Sequence, residues 1–139
     1  MLASMTAELR RTGLLVKRLQ MRHHRAANAA LAELGVSLVQ WDALRHLHEN
    51  PDASLHDLAQ LTFQTDQAFG TLANRLVARG LIERVDGPGR AIKHRLTFEG
   101  DRVREAGAGL MDQVLAASFD PLSPDERETF RRLLDKLIG

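Results

Sequence analysis

The segment RGLIERVDGPGRAIKHRLT, Arg79 to Thr97, sets Arg84, Arg90, Lys93 and Arg95 on and around a turn, Asp86-Gly87-Pro88-Gly89, that has little to bury. Cations in that arrangement suit the neutralisation of a polyanion, since Lys meets phosphates and Arg also inserts into a narrow minor groove. Strand alternation puts Ile92, His94 and Leu96 on one face and Ala91, Lys93 and Arg95 on the other, leaving Lys93 and Arg95 to phosphate or water. The plain alternative is a solvated hairpin. Upstream, QTDQAFGT offers Gln64, Thr65, Gln67, Ala68 and Thr71. These types suit base edges: Gln pairs bidentately with adenine, and Ala or the Thr methyl touches the thymine methyl. An ordinary exposed helix face would carry the same residues.

Other chemistries lack their parts. The chain has no cysteine, so disulfides, thiolate metal sites, cysteine nucleophiles and thiol redox sensing are absent. There is no Gly-rich phosphate loop, no Gly-x-Ser-x-Gly and no convincing carboxylate pair. Six histidines invite a metal reading. Adjacent His23 and His24 point about 100° apart on a helix, however, and no His-x-x-x-His pair exists. The expectation is a protein that is not an enzyme and holds no metal or cofactor.

At 139 residues and 44% hydrophobic, the chain fits one compact domain, alone or with extensions. Net charge is +1, but it is unevenly spread: Arg10, Arg11, Lys17, Arg18, Arg22 and Arg25 crowd the start, and acids outnumber bases from Asp101 onward. No apolar run approaches the roughly 18 residues of a membrane span, and no leader pattern is evident, so a cytoplasmic protein without a membrane partner is expected.

The positioning elements have marked ends. From about Thr6 to Leu34 no proline intervenes, and Val16, Leu19, His23, Ala26 and Ala30 recur at helical spacing until Gly35. Ser37 and Gln40 form a capping box, and Asn50-Pro51 closes that helix. Ser54 and Asp57 form a weaker box before a short helix. Thr65 caps DQAFGTLANRLVARG, where Phe69, Leu72, Leu76 and Val77 are expected to be buried and Gly80 ends the helix. After the hairpin, Thr97 caps a helix with Val103, Ala106, Leu110, Met111, Val114 and Leu115 on one side. Ser123-Pro124-Asp125-Glu126 opens the last, with Phe130, Leu133, Leu134 and Leu137.

The expected fold is mainly α with a small β-hairpin wing. A winged helix-turn-helix lobe spans 35–99, a helix fit for dimerisation spans 1–34, and further dimerisation helices span 100–139. The outer helices carry apolar faces that so small a lobe cannot cover, which points to a homodimer. In such a lobe the second helix of the motif enters the major groove of double-stranded DNA, and the hairpin follows the backbone. Gln64, Thr65, Gln67, Ala68 and Thr71 are then the base-reading candidates, and Ser37, Arg75, Arg79, Arg84, Arg90, Lys93 and Arg95 the backbone and wing candidates.

Gln40-Trp41-Asp42-Ala43-Leu44, SLHDLA, LANRLVARGLIER, RAIKHRLTFEG and LSPDERETFRRLLDKL, in that order over nearly the whole chain, resemble the MarR family of bacterial transcriptional regulators. The resemblance implies a dimeric repressor on a pseudo-palindromic operator. It also implies a pocket between dimer base and DNA lobe where a small aromatic or anionic effector weakens DNA binding. His23, Trp41 and Arg45 are its candidate lining residues; the bland readings are a bonded interface histidine and a core tryptophan. Two features depart from the family's pattern. The wing tip, Pro88-Gly89-Arg90, keeps the Arg of the usual Asp-x-Arg and loses the Asp, and the first half of the recognition helix, from Thr65 to Thr71, carries Asp66 and no cation. Asp66 opposes phosphate but suits its helix N-terminus and could accept from cytosine N4. The alternative keeps the fold and drops DNA, making the lobe a protein-interaction module.

Overall fold

The computed structural model describes residues 1–85 and 92–139. Arg90 and the rest of the expected wing tip therefore lie outside the described residues.

Helix α1 (Leu2–Leu31) starts earlier than the proline-free run suggested, and its 30 residues span about 45 Å. Only Ala27 and Leu31 are buried. The expected stripe continues backwards from Val16 through Leu9, Met5 and Leu2, all exposed, so it is a seam without a partner among the described residues. A 3-10 turn over Ala32–Leu34 then leads to Gly35, whose φ of 73° is the left-handed conformation that ends helices.

Short polar side chains set the next boundaries. Helix α2 (Leu38–Glu49) begins with reciprocal bonds: the Gln40 amide donates to Ser37 Oγ, and the Ser37 amide to Gln40 Oε1. The Leu38 amide donates to Asn28 Oδ1 at 2.7 Å and so ties α2 to α1. Ser54 and Asp57 repeat the box at α3 (Leu55–Leu61), where the Ser54 backbone and side-chain bonds hold the Asp57 carboxyl below its ordinary range. Phe63 turns the chain with φ 57°, unusual for a bulky residue, and Thr65 caps α4 (Asp66–Ala78) by accepting from the Ala68 amide.

Strands β1 (Ile82–Val85) and β2 (Lys93–Leu96) pair antiparallel with Ile82 opposite Leu96 and Arg84 opposite His94. The hairpin is stitched to the lobe at Ser54, which bridges Lys93, and by the Leu55 amide, which donates to the Ile92 carbonyl. Thr97 caps α5 (Phe98–Phe119) while donating to the Gly80 carbonyl, and Ser123, boxed with Glu126, opens α6 (Pro124–Ile138).

The core gathers Leu31, Leu44, Leu58 and Leu76 with Trp41, Phe69, Ile82 and Val103. Two contacts need glycine. A Cβ on Gly100 would meet the Leu81 carbonyl oxygen at 1.8 Å, and one on Gly107 the Trp41 indole at 2.4 Å, so α5 lies hard against the lobe.

Three expected faces shift. In α4 the buried set is Phe69, Leu72, Ala73 and Leu76; Val77 falls past the edge of that stripe and is exposed. On α5, Gly100, Val103 and Gly107 are buried while Ala106 and Leu115 are exposed. No residue of α6 is buried, and Leu133 and Leu137 stand open to solvent. Among the described residues no helix is long and apolar enough to cross a membrane.

Candidate nucleic-acid interface

Burying Phe69, Leu72, Ala73 and Leu76 turns the opposite side of α4 outward, and Gln67, Ala68, Thr71 and Arg75 are all exposed. The spacing of Gln67, Thr71 and Arg75, four residues apart each time, stacks them on one face. Gln67 has no side-chain partner among the described residues. The Thr71 hydroxyl donates to the Gln67 carbonyl at 3.1 Å, which leaves its methyl and its acceptor lone pairs for a base. Thr65 is committed as the N-cap, and Gln64, half-buried, donates from Nε2 to Thr62 Oγ1.

The basic set divides in two. Arg79 Nη1 donates to the Gly35 carbonyl, which makes this side chain a brace between α4 and the turn before α2. Arg95 is bonded across the hairpin to Glu83, and Ser37 is spent on its capping box. Arg75, Arg84 and Lys93 hold no ion pair among the described residues; Arg75 and Arg84 are exposed and Lys93 half-buried. His94 is buried against the core as the alternation required, whereas Ile92, on the same expected face, is exposed. Burial, and then the charge of Arg84 opposite, push the His94 imidazole below its ordinary pKa.

One contact was invisible in the sequence. His56 Nδ1, near the start of α3, lies 2.8 and 3.0 Å from the two carboxylate oxygens of Asp66, the first residue of α4. A spacing of ten residues across a turn follows no helical or strand period, so only the packing of α3 on α4 reveals it.

The three candidate effector residues do not converge. Trp41 is 7% exposed, and its Nε1 donates to the Arg104 carbonyl at 3.0 Å. Its indole edge meets a cleft of about 510 Å³ shared with Leu38, Arg45, Arg104 and Met111. There the Arg45 guanidinium sits 5.9 Å from the Trp41 ring centroid and bonds Asp42 through Nε and Nη2. Burial disfavours the Arg45 charge, but bonds and charges from Asp42 and Glu49 outweigh it and raise the pKa. His23 lies apart from this cleft, in a groove of about 390 Å³ between α1 and α5 with Ala26, Leu110 and Val114. Its Nε2 is 2.6 Å from Ser118 Oγ, and its ring meets Phe119 edge-on. His23 therefore joins α1 to the end of α5, apart from Trp41 and Arg45.

The geometry of the lobe has close counterparts. Residues 34–91 match the model of the MarR family. Over 112 residues the chain is 29% identical to the HTH-type transcriptional repressor Rv2887 of Mycobacterium tuberculosis, covering 79% of this chain and 81% of that one. The crystal structure of Rv2887 complexed with DNA superposes with a TM-score of 0.77 at 26% identity, over 91% of this chain and 97% of that one. The same protein complexed with salicylic acid superposes at 0.74 and 28% identity, over 90% and 94%.

Proposed function

We propose that this protein is a transcriptional repressor of the MarR family that binds a pseudo-palindromic DNA operator as a homodimer and is released from it by a small aromatic or anionic effector. One observation carries the reading. Helix α4 is anchored by Phe69, Leu72, Ala73 and Leu76 and presents Gln67, Ala68, Thr71 and Arg75 outward, while the hairpin that follows it carries Arg84 and Lys93. In a helix-turn-helix, that side of the second helix enters the major groove, where Gln67 can pair with adenine and Ala68 and the Thr71 methyl can touch thymine. Gln64 and Thr65 stand at the start of α4; Ser37, Arg79 and Arg95 would add backbone contacts, and Arg90, outside the described residues, is a further candidate from the sequence.

Dimerisation has support from surfaces that the chain leaves uncovered. The seam of α1 carries Leu2, Met5, Leu9 and Val16, and Leu133 and Leu137 of α6 are likewise exposed. Between α1, α5 and α6 runs an apolar groove of about 610 Å³ lined by Leu19, Phe119, Leu122, Phe130 and Leu133. Residues 1–34 and 100–139 would then form the dimer base, with lobes 35–99 on half-sites about one helical turn apart. The effector would enter at Trp41 and Arg45, where a cation stands beside an aromatic ring between α2 and α5.

A second reading, a winged-helix module that binds protein and has lost DNA, has one feature in its favour: Phe63, 98% exposed, with Leu61, 39% exposed, beside it. Binding selection from genomic fragments with the purified protein separates the two. Repeated recovery of one palindromic sequence supports the repressor; recovery of no enriched sequence by the folded protein moves the assignment to the protein-binding module.

A further inference from the structure

We propose that His56 is a DNA-backbone contact made by its protonated imidazolium and held in place by Asp66, an inference that rests on the DNA-binding reading above. Asp66 sets a carboxylate at the start of α4, where a polyanion must approach, and α4 carries no basic residue before Arg75. The contact from α3 answers that charge. His56 Nδ1 faces both oxygens of Asp66, and an ionised carboxylate only accepts hydrogen bonds, so Nδ1 carries the hydrogen. The hydrogen of the neutral ring is thereby placed on Nδ1, and a second proton would go to Nε2.

What Nε2 offers depends on that proton. Neutral, it is an acceptor, and phosphate oxygens at neutral pH are acceptors too, so no bond forms. Protonated, it is a charged N–H donor, the kind that makes strong bonds to phosphate. Both side chains are 60% exposed, so the ring is within reach of a ligand lying along the start of α4. With the proton on, the His56–Asp66 pair has no net charge and Asp66 no longer opposes the backbone.

Asp66 faces His56 from α4 and Asp57 adjoins it on α3, while Lys93 of β2 places a positive charge near Asp57. The charged residues of α2 are engaged elsewhere: Asp42, Arg45, His46 and Glu49 with one another, His48 with Asp101. A phosphate brought to His56 adds a further negative charge, so complex formation takes up a proton there and affinity rises as pH falls.

The test is fluorescence anisotropy with the full chain and a labelled mixed-sequence duplex of about 24 base pairs at about 50 mM salt, since phosphate contacts are independent of sequence. From about pH 8 to pH 6, wild-type affinity should climb by up to about tenfold per unit for each imidazole that gains a proton. His56→Gln keeps a polar side chain without that proton and should flatten the climb, whereas Asp66→Asn should bind tighter than wild type at pH 8. Both positions are exposed, and thermal melts would check that the variants remain folded. A His56→Gln protein with the wild-type slope, or an Asp66→Asn protein that binds no tighter, overturns the proposal and leaves DNA binding standing. No binding by any form at any pH overturns both.

Discussion

Replacing Arg84 with Ala tests how the hairpin is used, and its effect can be worked out in advance. Among the described residues, Arg75, Arg84 and Lys93 have neither an ion-pair partner nor a side-chain bond to the backbone, so a dimer would bring about six such cations to the phosphates. Each contact contributes about −0.9 to the slope of log affinity against log salt, for a total near −5.4. Between about 50 and 200 mM salt, wild-type affinity should therefore fall by roughly 2000-fold. Arg84→Ala removes one contact per protomer, reducing the slope to about −3.6 and the fall to about 150-fold. Arg84 is exposed, and loss of its charge relieves His94, so the fold should be retained. The assay is anisotropy of a labelled duplex at four or more salt concentrations. A variant with the wild-type slope would refute the placement of β1 against the DNA backbone.

Two further outcomes follow from the packing. Gly107→Ala drives a methyl to 2.4 Å from the Trp41 ring and should cost about 1–3 kcal/mol by overpacking, read as a lower denaturant midpoint; an unchanged midpoint would mean that α5 and α2 are not so close. His94 gives a pH dependence. Its pKa is lowered in the folded state from 6.5, so below about that pH the unfolded chain binds the proton that the folded chain resists. The contribution of His94 is present above about pH 6.5 and declines as pH falls, and His94→Leu should flatten that decline in unfolding titrations at about pH 7.5 and 5.5.

The helix starts were legible because they depend on residues three apart. Ser37, Ser54, Thr65, Thr97 and Ser123 each cap the helix expected of them. Helix stops at Gly35 and Gly80 were as plain, since their φ values of 73° and 74° suit glycine. Burial was less legible. Ala73 instead of Val77 completes the α4 core because stripe position, not side-chain size, decides which residue faces inward. The residue types of the candidate interface could be read, but their commitments could not. Arg79 bracing Gly35, Arg95 paired with Glu83, and His56 on Asp66 all join distant segments, and no local period encodes them. His23 shares the α1 stripe but turns to Ser118, while Trp41 and Arg45 open on another cleft. Only the crossing of α1, α2 and α5 separates them.

The central claim is that this surface reads sequence, and the most direct measurement is a ratio. Affinity for the palindrome recovered by selection is compared with affinity for a scrambled duplex of equal length and composition, both at about 0.15 M salt. Base readout by α4 predicts a preference of at least about 10³-fold, the lower range for specific DNA-binding proteins, and a clear reduction in Gln67→Ala. Equal affinity for the two duplexes would contradict it.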